Sequence, residues 1–525
     1  MTPPSDVGTE VLITGASLDS RAIQPGDLYA ALPGQRTHGA RFTAAAVALG
    51  AVAVLTDPAG AEQIRAEQIR AGQLGAGPPV LVVDDPRAVL GGLAAWLFGE
   101  PARKMLMLGV TGTNGKTTTT FLLDDALRRA GRRCGLIGTI GNRVLDQPLP
   151  SVRTTPEAPD LQALLALMLA KGADTCSMEV SSHALSMGRV DGVRFDVVGF
   201  TNLSQDHLDF HPTMESYFQA KADLFTPARG RVGVVCVDDV WGRRLAIQAG
   251  IPVTTVGTTP AAEPADWQVV DRRPAGAGTD FTLRGPGGEP VAAHCPLPGD
   301  FNVANTALAL VMLVAAGIAA DDAAAGLALA QPVPGRMERV PGPGVSGAPL
   351  AVVDYAHTPD AVAAALRTLR AGRSGPLVVV IGAGGDRDRE KRPKMGQAAA
   401  READVVIVTD DNPRSEDPAA IRAAVLAGAE SARSESGEAL PGEVLEIADR
   451  RAAVQEGVRR AWGGGTLLVA GKGHERGQEI AGVVQAFDDR EVLAAALRCG
   501  PSGPEADGPD ADGPDAGRSS LEGLQ

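Results

Sequence analysis

The run Gly109-Val110-Thr111-Gly112-Thr113-Asn114-Gly115-Lys116-Thr117-Thr118 carries the strongest chemical signal in this chain. A glycine-rich turn between strand and helix can fold its backbone N–H groups around a phosphate, and the helix N-terminus adds partial positive charge there. Lys116 is spaced to reach β- and γ-phosphates and the Thr117 hydroxyl to ligate Mg²⁺, the chemistry of an ATP-dependent enzyme. The usual spacing wants glycine where Val110 stands; here the glycines fall at 109, 112 and 115.

Other polar groups follow apolar runs. Glu179, in Met178-Glu179-Val180-Ser181-Ser182-His183, is placed to hold a metal ion if its strand ends beside the phosphate turn; a solvent-exposed strand end is the alternative. His207, in Thr201-Asn202-Leu203-Ser204-Gln205-Asp206-His207, is either a metal or phosphate ligand or a structural hydrogen-bonder. Lys221, in a mostly apolar helical segment, reads from composition as a snorkelling surface lysine. Near the C-terminus, apolar runs ending at Val353, Ile381, Val408 and Val469 are followed by Asp354-Tyr355-Ala356-His357, Gly382-Ala383-Gly384-Gly385-Asp386-Arg387, Asp410-Asp411-Asn412-Pro413-Arg414 and Gly471-Lys472-Gly473-His474-Glu475. Ligands bind at that edge of open α/β sheets.

The elements that must position these groups divide into blocks. Residues 1–103 alternate short strands (28–32, 51–55) with a helix over 40–49; the tandem Ala-Glu-Gln-Ile-Arg at 61–70 reads as a loop or helix extension. Residues 104–334 open with a strand at 105–110, the turn and a helix at 118–129, then strands at 197–200, 232–237 and 253–256 with a helix over 159–170: a mainly parallel sheet covered by helices. Residues 335–500 repeat the pattern, with strands at 350–353, 377–381, 405–408 and 466–469 between helices at 360–369, 393–402, 418–429 and 450–461. The fold class is therefore α/β with three domains, and 501–525 is expected to be a disordered acidic tail.

Composition narrows the function. The chain of 525 residues is 44% hydrophobic and 21% charged, that of a globular protein. Its net charge of −14, to which the tail contributes −5, excludes bulk nucleic-acid binding. No apolar run reaches transmembrane length, the N-terminus lacks a signal-peptide pattern, and the five cysteines are scattered without a CxxC pair, so a cytoplasmic protein with reduced thiols is expected.

Taken together, from Asp19-Ser20-Arg21 to about residue 495, these motifs resemble the Mur ligases, the ATP-dependent amino-acid-adding enzymes of peptidoglycan synthesis. Asp411-Asn412-Pro413-Arg414 is similar to the signature of their diaminopimelate-adding members. The resemblance implies an N-terminal UDP-binding domain, a central P-loop ATP-binding domain and a C-terminal Rossmann-like domain. It implies ligation of 2,6-diaminopimelate to the D-Glu γ-carboxylate of UDP-N-acetylmuramoyl-L-Ala-D-Glu through an acyl phosphate. Leu18, Ser20, Gln35, Arg36 and Thr37 would lie at the UDP end, and Thr154, Thr155, Ser181 and Arg189 at the muramoyl-dipeptide. Gly112, Thr113, Asn114, Gly115, Lys116, Thr117 and Thr118, with Asn302, Arg336, Asp354 and His357, would contact ATP. Mg²⁺ would be held by Thr117 and Glu179, with His207 near a second ion, and Lys221 would carry a CO₂-derived carbamate that serves as an anionic ligand. Lys116, Lys221 and His207 would be the catalytic set. Arg387, Asp411, Asn412, Pro413, Arg414, Gly471 and Glu475 would bind diaminopimelate, Arg414 pairing with its distal carboxylate and Glu475 with its distal ammonium. Arg153 and Met187 depart from residues expected beside the dipeptide. Small-molecule substrates, no nucleic acid, no membrane insertion and a monomer are expected. The rivals are a folylpolyglutamate synthase-like ligase and a P-loop switch that hydrolyses ATP without ligation.

Overall fold

The computed structural model describes residues 11–34, 37–72, 77–259, 264–371, 373, 375–435 and 442–502; Gln35, Arg36 and the acidic tail from residue 503 lie outside the described residues. Three large sheets follow one another along the chain, at residues 15–82, 106–295 and 338–470.

The first is four parallel strands in chain order, Gly15–Ser17, Asp27–Ala31, Ala53–Thr56 and Val80–Val82. Every residue of Asp27–Ala31 and Ala53–Thr56 is buried, as a strand covered on both faces requires. The tandem repeat is helical, the end of Pro58–Arg70, started by Asp57 accepting from the Gly60 N–H and by proline in the first turn. The helix read over 40–49 is divided between a 3₁₀ turn, Gly39–Phe42, and an α-helix, Thr43–Ala48.

The second sheet has eleven strands. Its parallel centre runs Val253–Gly257, Gly230–Cys236, Phe195–Phe200, Leu106–Thr111, Thr175–Glu179, Cys134–Ile137. Leu106–Thr111 is the first of these in sequence yet lies in the middle, so the chain order reverses beside it and a crevice opens at its C-terminal end. The helices Lys116–Arg129 and Asp300–Ala315 bury one face, and Ala158–Ala170 and Met214–Ala222 the other. The sheet departs from a mainly parallel reading at both edges. Trp267–Ala275, Gly278–Arg284 and Pro290–Cys295 form an antiparallel extension, and Asn142–Val144 with Gln147–Leu149 a hairpin. The tight turn between Ala275 and Gly278 needs a positive φ, which Gly276 supplies at 63°.

The third sheet runs Glu338–Val340, Leu350–Asp354, Thr466–Ala470, Leu377–Ile381, Val405–Val408, Glu443–Glu446, with only the first pairing antiparallel. Helices Pro359–Arg370, Lys391–Glu402 and Pro418–Glu435 pack on one face; Arg450–Ala461 and Asp489–Cys499 pack on the other. Because the four strands ending at Asp354, Ala470, Ile381 and Val408 are parallel neighbours, their polar loops emerge along one edge. Among the described residues no helix is long and apolar enough to cross a membrane.

Candidate active site

The phosphate turn is fixed by its own backbone and by the next strand end. Gly112 and Gly115 have φ of 144° and 88°. A Cβ on Gly112 would lie 1.8 Å from Thr201 Oγ1, and one on Gly115 2.3 Å from Asn305 Oδ1. The Asn202 side chain brackets Asn114, accepting from its N–H at 3.1 Å and donating to its carbonyl at 3.1 Å, and Thr113 N–H donates to the Asn202 carbonyl at 2.8 Å. The helix begins at Lys116, two residues earlier than its apolar pattern suggests, so Lys116 and Thr117 occupy its first turn and its uncapped N–H groups face the turn. Lys116 Nζ donates to the carbonyls of Gly112 at 2.9 Å and Thr113 at 2.8 Å, and burial pushes its pKa down.

Glu179 is buried at its strand end rather than exposed. Its carboxylate accepts from Thr117 Oγ1 at 3.0 Å, Thr139 N at 2.8 Å and Thr139 Oγ1 at 3.0 Å. One carboxylate beside one hydroxyl suits Mg²⁺, which keeps most of its shell for phosphate oxygens and water. Among the described residues no group of three or more His, Cys, Asp or Glu is gathered as a metal cage. Lys221 does not snorkel: it is 1% exposed, its Nζ donates to the Gly112 carbonyl at 2.7 Å, and it lies 4.6 Å from the Tyr217 ring centroid. Burial, then the nearby Lys116 cation, hold it well below the ordinary lysine range. His207 adopts φ 56° with Nε2 3.3 Å from Asp206; burial pushes it down to about 3, so it is neutral at pH 7.

One cavity borders this turn and a second lies beyond it. The first, about 500 Å³, is bordered by Asn114, Gly115, Thr117 and Thr118, by Asn305 on the helix Asp300–Ala315, and by Arg336 and Asp354 from the C-terminal block. Arg336 stacks on Tyr355 with its guanidinium carbon 4.3 Å from the ring centroid, and Nη2 donates to Thr117 Oγ1 at 2.9 Å. Burial pushes the Asp354 carboxyl up, against the pull of Arg336 and of the Met337 and Ala356 N–H groups. The second cavity, about 570 Å³, is built from two blocks: Thr154, Ser181, Arg189 and His207 on one side, and Arg387, Asp411, Asn412, Arg414, Gly471 and Glu475 on the other. Tyr355 borders both cavities.

Family comparison fits this geometry. The chain matches the Mur ligase family, catalytic domain over residues 12–96, the Mur ligase middle domain over 110–313 and the Mur ligase, glutamate ligase domain over 335–473. It belongs to the Mur ligase family. A relative from Streptomyces coelicolor named UDP-N-acetylmuramoyl-L-alanyl-D-glutamate--2,6-diaminopimelate ligase is 54% identical, over 93% of this chain and 92% of its own length. One of the same name from Corynebacterium glutamicum is 50% identical over 94% and 93%. A solved structure of a protein of that name has a TM-score of 0.62 at 34% identity, covering 95% of this chain and 98% of the other.

Within this Mur ligase, not every residue named from sequence borders a cavity. Asn302 turns away from the first cavity, donating to the Pro298 carbonyl at 2.8 Å and accepting from Asn305 at 3.1 Å, so Asn305 is the one that faces the turn. His357 borders the second cavity rather than the first, with Nδ1 2.7 Å from the Tyr355 carbonyl. Thr155 lies behind the second, donating to the Glu179 carbonyl at 2.8 Å and accepting from Ser181 N at 3.2 Å. Pro413 packs its carbonyl against Gly385, where a Cβ would be 1.9 Å away. Leu18, Ser20 and Thr37 are on the first sheet and its loops and border neither cavity; Gln35 and Arg36 lie outside the described residues. Arg153 borders the second cavity, and Met187 Sδ lies 3.2 Å from Arg189 Nη2. Sequence reasoning missed Asn305, one helical turn beyond Asn302, and Asp206, which accepts from Lys391 Nζ at 3.0 Å across the seam between blocks. The i,i+3 spacing of the two asparagines was an available signal; no local pattern pairs residues 206 and 391.

Proposed function

We propose that this Mur ligase joins 2,6-diaminopimelate to the D-Glu γ-carboxylate of UDP-N-acetylmuramoyl-L-Ala-D-Glu, consuming ATP and releasing ADP and phosphate. The observation that carries this reading is the second cavity, where an arginine-bearing loop of one block faces threonine, serine and arginine of the other, and which shares Tyr355 with the cavity bordering the glycine-rich turn. The relatives named as diaminopimelate ligases at 50–54% identity support it.

ATP would lie in the first cavity, its phosphates against the N–H groups of residues 112–118, with Lys116 and Arg336 offsetting charge on the transferring group. Thr117 and Glu179 would hold Mg²⁺, which supplies further charge compensation. The γ-carboxylate oxygen attacks the γ-phosphorus, the bond to the ADP oxygen breaks, and an acyl phosphate forms. The diaminopimelate amine then attacks the acyl carbon, loses a proton and expels phosphate. Thr154, Ser181 and Arg189 would hold the dipeptide, and Arg387, Asp411, Asn412, Arg414 and Glu475 the amine donor. Arg336 and Tyr355 arch over the turn from the C-terminal block, where closure keeps the acyl phosphate from water. Lys221, whose burial favours the neutral amine, would add to CO₂ and release a proton to become a carbamate. Block limits near 103/104 and 334/335 belong to the same proposal.

Phosphate release tests the reading. Release that requires both the UDP-dipeptide and diaminopimelate supports ligation; release without them assigns a hydrolytic switch. A panel of meso-diaminopimelate, LL-diaminopimelate and L-lysine then fixes the amine donor.

A further inference from the structure

Beneath the second cavity lies a cation that does not border it. Lys472 follows the strand Thr466–Ala470 and its side chain is 0% exposed. Its Nζ donates to Asn412 Oδ1 at 3.0 Å and lies 3.4 Å from Glu475 Oε2 and 3.8 Å from Asp411 Oδ1. All three of those partners border the cavity. Asn412 Oδ1 also accepts from Glu479 N at 3.0 Å, which fixes which way its amide points. With Oδ1 so engaged, Nδ2 donates to Glu475 Oε2 at 2.7 Å. One buried ammonium, together with the Glu479 N–H, thus orients an amide, and through it a carboxylate, while offsetting two carboxylates that would otherwise repel each other.

We propose that Lys472 is a positioning residue that sets amine-donor selectivity, an inference that rests on the ligation reading above. Around the amine-donor end, with Lys391 already paired to Asp206, Arg387, Arg414 and Lys472 supply three positive charges against three negative ones from Asp411, Glu475 and Glu479, the last 3.7 Å from Arg414. A donor whose distal end carries both ammonium and carboxylate matches that balance. A donor ending in a lone ammonium, such as L-lysine, does not. Removing the Lys472 charge turns the site one unit more negative, leaves Asn412 Oδ1 held by the Glu479 N–H alone, and shifts the balance toward the lone cation.

The test is steady-state kinetics of full-length wild type, Lys472→Met and Lys472→Arg with ATP, the UDP-dipeptide and either meso-diaminopimelate or L-lysine. Lys472→Met is expected to raise the diaminopimelate KM roughly 30-fold or more, leave the ATP KM within about threefold, and cut the kcat/KM preference for diaminopimelate over L-lysine by about tenfold. Lys472→Arg keeps the charge and should keep the preference even where KM rises. A purely structural role would lower kcat for both donors alike and leave the preference unmoved, which overturns the proposal. Should Lys472→Met not fold, Lys472→Gln carries the same expectation; failure of both to fold assigns Lys472 to stability and also overturns it. Wild type that turns over neither donor removes the ligation reading and this inference with it; wild type that turns over diaminopimelate beside a variant of unchanged preference removes this inference alone.

Discussion

Single residues set the charge logic of the site. Arg414 sits at φ 53°, its Nη1 donating to the Gly385 carbonyl at 2.6 Å, so the guanidinium is held at the cavity wall before any ligand arrives. Arg414→Ala is expected to raise the diaminopimelate KM by about 30-fold while that for ATP stays near wild type, because truncating one side of a charge pair strands the other. An unchanged diaminopimelate KM in kinetics would remove its assigned role. Lys221 and Lys116 donate to the same Gly112 carbonyl, an arrangement that disfavours two simultaneous ammonium charges. Lys221→Ala should lose roughly 10²–10³ in kcat, with partial return on adding a short carboxylic acid in place of the proposed carbamate. Full activity of the unsupplemented variant would show that no carbamate is needed.

At the scale of elements, the turn between Leu106–Thr111 and Lys116–Arg129 is the least tolerant segment. Gly115→Ala forces a Cβ into Asn305 and a side chain into a left-handed backbone, displacing the N–H groups proposed to hold phosphate. A loss of roughly 100-fold in kcat/KM for ATP is expected, and near-normal ATP kinetics would argue against phosphate binding there. The main strands and helices were legible because each carries its own period and its own breakers. Leu377–Ile381 and Val405–Val408 match their apolar runs end to end. The antiparallel strands at 267–295 were not, because their half-exposed, charge-bearing sequence lacks a continuous apolar run. Of the site, the loops themselves were readable; the inward turn of Glu179 and Lys221 and the outward turn of Asn302 were not, since side-chain burial depends on neighbours distant in sequence.

For the whole molecule, Asp206 joins the central and C-terminal blocks. It accepts from Lys391 Nζ at 3.0 Å and lies 3.3 Å from His207 and 3.6 Å from His357, with both Asp206 and Lys391 buried. Lys391→Met should cost about 3–5 kcal/mol in urea unfolding, and Asp206→Asn in the same chain should restore much of it, because the cost lies in stranding a buried charge. Additive losses would show that the pair is not coupled. Acid sensitivity has a separate origin. Burial pushes His183, His211 and His474 down to about 4 and His207 to about 3, from an ordinary value of 6.5. Between pH 6.5 and these values the unfolded chain binds more protons, so this stability is complete above 6.5 and is lost as pH falls through the window. Asp206 lies outside that window: burial opposes its ionisation, yet His207, His357 and Lys391 hold it well below 3.8. The melting temperature should fall on acidification from pH 6.5 to 4; a flat profile there would contradict neutral buried histidines.

The amino-acid sequence by itself determined the local parts: the phosphate turn, the polar loops after apolar strands, the α/β alternation and the family to which they belong. Those follow from periodicity, turn chemistry and short motifs, which act over a few residues. Only the tertiary structure decided that loops from two blocks wall one cavity, that Lys221 and Lys472 are sealed from water, and that Asp206 meets Lys391. Sheet order and packing across hundreds of residues place those groups, and no local pattern encodes which strand becomes whose neighbour.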